Sequence, residues 1–123
     1  MAMYTELKIG TELYRLRLGA QNIVDTEKKL GSSILTVLMS MGEGNQIVEL
    51  EKALIILHGS MQKYNHGITM EQVYDLYDEF IDDGGNFIEL VEKLVDVLTV
   101  SGFFNKTQME EMKKVQEKTK IKK

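Results

Sequence analysis

Few side chains in this sequence can do chemistry. The two imidazoles, His58 and His66, stand eight residues apart. Neither has a second histidine four residues away, as a helical metal pair requires, nor an adjacent nucleophilic serine, so both read as structural or surface histidines. There are no cysteines, which removes disulfides, thiolate metal sites, thiol nucleophiles and iron–sulfur ligation together and fits a reducing compartment. Acids crowd residues 71–83, and Gly84 and Gly85 follow them, which invites a calcium-loop reading. Setting Gly84 at loop position 6 puts Ile81 at position 3 and Leu90 at position 12; setting Gly85 there puts Phe80 at position 1. Both registers place apolar side chains where oxygen ligands are required, and acids recurring every three or four residues describe the solvated face of an amphipathic helix. The ten glycines form no phosphate-cradling loop, since Gly42-Glu-Gly44 lacks a preceding strand and a third glycine at the needed spacing. The expected catalytic, cofactor and metal residues are therefore none.

Surface chemistry remains. Eight methionines in 123 residues supply soft, unbranched side chains that serve either as core filler or as an adaptable apolar surface. Met61, Met70, Tyr74, Phe103 and Phe104 are the candidate partner-binding residues; the same residues in a core are the competing reading. Charge divides at Asn105. Residues 1–105 carry a net charge of −8 and residues 106–123, with 7 lysines and 3 glutamates, carry +4. An acidic body repels phosphate backbones, and the lysine-rich tail has no aromatic residue for base stacking, so nucleic-acid binding is not expected. The longest apolar run, residues 53–57, is far short of the roughly 20 residues a membrane span needs, and the N-terminus has no signal-like basic and apolar sequence.

The elements that must position these residues follow from periodicity. Thr5, Leu7 and Ile9 alternate with Glu6 and Lys8, and Tyr14, Leu16 and Leu18 alternate with Arg15 and Arg17. That is the period of half-buried strands, and Gly10-Thr11 between them suits a II′ turn, so residues 4–18 read as a hairpin. A lone hairpin is marginal in water and must lie on the helices that follow. Ala20, Ile23, Val24 and Leu30 fall near helical spacing, with Lys28 and Lys29 in the last turn and Gly31 placed to end it. Ser33 caps an apolar stretch, residues 34–39, that reads as a short helix or a strand. Residues 46–64 hold the most apolar segment and read as the central helix. Thr69 and Gln72 have capping-box spacing, and Val73, Tyr74, Tyr77, Phe80 and Ile81 make the apolar face of the helix they open. Asn86 and Glu89 open a last helix that buries Phe87, Leu90, Val91, Leu94, Val97 and Leu98 and stops at Gly102.

The expected fold is α+β: an N-terminal hairpin packed on a bundle of four to five helices, residues 1–105 as one domain and residues 106–123 as a frayed or free amphipathic tail. Leu54, Ile55, Leu57, Tyr74, Tyr77, Leu90, Val91 and Leu94 are its expected centre. Two adjacent phenylalanines after a helix stop, Phe103 and Phe104, are expected to stay partly outside the core and, with the hairpin edge, to support self-association.

The strings TELKIGTELYRLRLGAQNIVDTEKKLG and LHGSMQKYNHGITMEQVYDLYDEF, in the order hairpin then helices, resemble the small tail assembly chaperones of tailed phages and prophages of Gram-positive bacteria, over about residues 4–105. The resemblance implies a non-enzymatic protein of the bacterial host cytoplasm, absent from the mature virion. It also implies that the protein coats the long tape-measure protein, keeps it soluble and helps tail-tube subunits assemble around it. A small helical adapter or regulatory protein with another partner shares every compositional feature, whereas a hydrolase or nuclease would need a nucleophile–base pair or metal cluster that these residues do not assemble.

Overall fold

Strands β1 (Thr5–Ile9) and β2 (Glu12–Leu16) pair antiparallel, with Thr5 opposite Leu16, Leu7 opposite Tyr14 and Ile9 opposite Glu12. The turn between them is Gly10-Thr11, and Gly10 takes φ 62°, the positive value its position demands. Alternation then sends Leu7, Ile9 and Leu16 into the core and leaves Glu6, Lys8, Leu13 and Arg15 on the outer face. These features come from a computed structural model, which describes residues 3–39 and 49–104.

Among the described residues five helices follow: α1 (Ala20–Leu30), α2 (Ile34–Met39), α3 (Leu50–Met61), α4 (Met70–Asp82) and α5 (Phe87–Val100). The fold is thus a two-stranded hairpin on a helical bundle, as the periodicities require. Four of these helix starts have a local cause, and α3 begins at Glu49 without a side-chain cap. Asn22 Oδ1 accepts the Gly19 N–H (3.0 Å) ahead of α1. Glu27 of α1 reaches across to accept the Ile34 N–H (2.9 Å), and Ser33 Oγ accepts that of Thr36 (3.0 Å), which makes residues 34–39 a helix rather than a strand. Thr69 and Gln72 exchange side-chain bonds with each other's backbone N–H (2.8 and 3.1 Å). Asn86 accepts the Glu89 N–H (2.9 Å).

Helix α3 is the hub, touching α1, α4, α5 and β2, while β1 rests on α4 and α5. Its Gly59 lies directly against Thr26 of α1: a Cβ built on Gly59 would collide with Thr26 Oγ1. The hairpin is tied down where it ends, by the Arg17 N–H donating to Ser60 O (2.9 Å) and the Leu18 N–H donating to Ser101 Oγ (2.9 Å).

Several expected placements change. Leu54, Leu57, Leu90, Val91 and Leu94 are buried, but Ile55 and Tyr77 are only half-buried and Tyr74 is exposed. The buried ridge of α4 is Val73 and Phe80, flanked by Leu76 and Tyr77, because positions spaced three, one and three residues centre on one line along a helix. In α1 the buried residue is the polar Thr26, with Ile23 and Leu30 beside it, and Val24 turns outward. Phe103 and Phe104 keep their expected place, half-buried against the core and partly outside it. The reason is a Schellman ending on α5: Gly102 at φ 86° donates its N–H to Thr99 O (3.3 Å) and Phe103 donates to Leu98 O (3.1 Å), which folds Phe103 back over Leu98. The expected tail, residues 106–123, and the start of the expected central helix, residues 46–48, lie outside the described residues. Among the described residues no helix is long and apolar enough to cross a membrane.

Candidate functional site

The five candidate partner residues do not converge. Met61 is fully buried in the last turn of α3 and offers no surface. Phe103 and Phe104 are half-buried lids on the core. Met70 and Tyr74 remain, one helical turn apart on α4, with Met70 leaning on the core and Tyr74 47% exposed.

These two belong to a longer feature. Met70, Tyr74, Tyr77 and Ile81 recur at intervals of four, three and four residues, the spacing of a coiled-coil seam. The seam runs the length of α4 beside the buried ridge. Tyr77 and Met70 contribute their inner halves to the core, whereas Tyr74 and Ile81, the latter 38% exposed, stand out of it. Glu71, Asp75, Asp78 and Asp82 are exposed on the outer side. A helix laid along α4 would therefore meet four apolar knobs at helical repeat and a wall of carboxylates. Periodicity alone sets Ile81 on the core face of α4. Its signal as a surface residue is its pairing with Tyr74 seven residues earlier, which places both on the shoulder of the helix.

Both ends of α4 are fixed. At its C-terminus Gly84 (φ 100°) donates to Ile81 O (3.1 Å) and Gly85 to Phe80 O (2.9 Å), a second Schellman ending, and Gly85 sits so close to the Phe80 ring that a Cβ there would collide with it. Glu79 lies against Gly10 at the hairpin turn, where a Cβ would strike the carboxylate. Partial burial, with Glu12 and Glu79 adding to it, raises the pKa of the Tyr14 phenol. The seam is thus carried on an anchored helix.

The polar groups near His58 hold a loop. Gln62 Nε2 donates to Ile68 O (2.8 Å) and to His58 O (3.2 Å) and lies 3.2 Å from His58 Nε2, while Gln62 Oε1 accepts the Gly67 N–H (3.2 Å). One side chain thereby staples residues 62–68 between α3 and α4. Burial lowers the His58 pKa, with help from nearby Lys29 and against the pull of the Ile68 carbonyl. His66 is exposed in the same loop. Among the described residues, no group of three or more His, Asp or Glu side chains is placed to hold a metal ion. Within the stapled loop, Tyr64 meets Tyr4 edge to face (centroids 5.6 Å apart) and Arg15 lies 4.8 Å over the Tyr4 ring, clamping the start of the hairpin to the loop after α3.

A family model matches residues 3–122. The chain belongs to DUF6096, a family of unknown function. No curated protein and no solved structure matches this DUF6096 chain. The match spans the hairpin, all five helices and the α4 seam.

Proposed function

We propose that this DUF6096 protein is a non-enzymatic tail assembly chaperone of a phage or prophage, and that its α4 seam receives apolar helical segments of the tape-measure protein. The observation that carries the reading is the seam itself: apolar residues at coiled-coil spacing on an anchored helix, with Tyr74 and Ile81 left open to a partner. The resemblance of residues 5–31 and 57–80 to the tail assembly chaperones supplies the identity of that partner. A tape-measure protein is long and helix-rich, so a binder must take many segments of loosely similar pattern. Methionine and tyrosine suit that task, because their side chains adapt or present both apolar and polar edges. The carboxylates beside the seam keep the loaded complex soluble and disfavour segments with acidic flanks. In this reading the protein acts in the cytoplasm of the bacterial host, assists tail-tube assembly around the tape-measure protein, associates with itself and is absent from the finished virion.

Co-expression is the test. The cognate tape-measure protein stays in the soluble fraction with the chaperone and precipitates without it. A tape-measure protein equally insoluble in both cases removes the chaperone reading and leaves a helical adapter with another partner.

A further inference from the structure

The hairpin has two edges, and they differ. Across a two-residue turn the flanking pair, Ile9 and Glu12, is the hydrogen-bonded one, and bonded pairs recur at every second residue. Thr5, Leu7 and Ile9 therefore spend their backbone groups on β2, and Glu6 and Lys8 turn theirs outward. On β2 the outward residues are Leu13, Arg15 and, beyond the strand, Arg17; the Arg17 N–H bond to Ser60 O confirms this phase and closes that end of the β2 edge against α3. The β1 edge has no such partner among the described residues, and Glu6 and Lys8 are both exposed there without an ion-pair partner. An exposed edge of this kind templates pairing with another strand.

We infer that the β1 edge pairs antiparallel with β1 of a second copy of this chain, about a twofold axis at Leu7, to form a four-stranded sheet. The charge pattern selects this occupant and this register. An axis at Leu7 puts Glu6 of one copy opposite Lys8 of the other, twice, so every outward residue of the new ladder meets its opposite charge. It also makes Glu6 and Lys8 the hydrogen-bonded pairs of the new ladder, which is what their outward-facing backbone groups require. Shifting the axis to Glu6 or Lys8 would put like charges face to face. The inference rests on the self-association proposed above and specifies its surface; it leaves the α4 seam free.

Charge exchange tests it. In sedimentation equilibrium, wild type forms dimers, and Glu6→Lys and Lys8→Glu, each creating two like-charge pairs, weaken dimerisation by about tenfold. An equimolar mixture of the two variants regains wild-type affinity, because one copy then brings two lysines and the other two glutamates. Circular dichroism melts show that the variants fold. Dimerisation unchanged in the single variants, or no recovery on mixing, overturns the β1 interface while leaving self-association standing. A wild-type chain that stays monomeric at millimolar concentration overturns both.

Discussion

Gly59 sits where α3 crosses α1, and Gly59→Ala is the most telling single-atom change in this fold. On a free helix the substitution stabilises by about 0.8–1 kcal/mol, because alanine loses less backbone freedom than glycine. Here the added Cβ would overlap Thr26 Oγ1, come within 3.2 Å of Thr26 Cβ and 3.5 Å of Leu18 Cδ2. Thr26 is itself buried, so its side chain has no solvent to retreat into. Overpacking of this kind costs about 1–3 kcal/mol, to which is added the loss of whatever α1 gives up in moving away. The helix gain offsets part of that, leaving a net loss of about 1–2 kcal/mol. For a domain of this length each kcal/mol is worth roughly 3–6 °C in Tm. Adding Thr26→Ala removes the oxygen that the new methyl strikes, so the double variant should be more stable than the two single losses summed, with a coupling of about 1 kcal/mol. Urea titrations of wild type, both single variants and the double variant close the cycle. Gly59→Ala as stable as wild type, or single losses that simply add, would refute the close α1–α3 crossing.

Three further outcomes follow from the same contacts. Phe103→Ala removes the half-buried ring that the Schellman turn folds over Leu98, and should destabilise by about 1–3 kcal/mol in urea titration; a loss within error would mean that the ring is not anchored. Thr69→Ala takes the hydroxyl that caps α4 and should lose about 1 kcal/mol, whereas Thr69→Ser should retain most of it. His58 has a lowered pKa in the folded state, so the unfolded chain takes up its proton first as pH falls: stability is fully present above about 6.5 and declines below it, and His58→Gln should flatten that part of the pH–stability curve.

How far the sequence foretold this structure depended on the range of the interaction. The hairpin was legible because alternation and Gly10 are local, and the starts of α4 and α5 because Thr69 with Gln72 and Asn86 with Glu89 act over three residues. The Gly59–Thr26 contact joins residues 33 positions apart and leaves no periodic trace, so neither the burial of Thr26 nor the outward turn of Val24 could be read from α1 alone. Tyr74 and Ile81 were placed inward because an apolar arc wider than the helix's contact with its neighbours looks the same in sequence whether or not its far side is covered. Phe103 is half-buried, partly outside the core as its position after a helix stop implies, and the contact of its inner side was legible too, since a glycine followed by an apolar residue five positions after Leu98 is the Schellman pattern. Met61 closes α3 with its side chain in the core, and methionine's use in both cores and surfaces hid that.

The central claim is that the outer shoulder of α4 holds the tape-measure protein. Replacing Tyr74 and Ile81 together by glutamate, Tyr74→Glu with Ile81→Glu, puts charge into the open half of the seam while sparing Val73 and Phe80 beneath it. Co-purification of tagged tape-measure protein with each chaperone, after matched folding is verified by thermal melts, measures the effect directly. The account predicts that wild type co-purifies and the double variant, equally folded, does not; a double variant retained as well as wild type would contradict it.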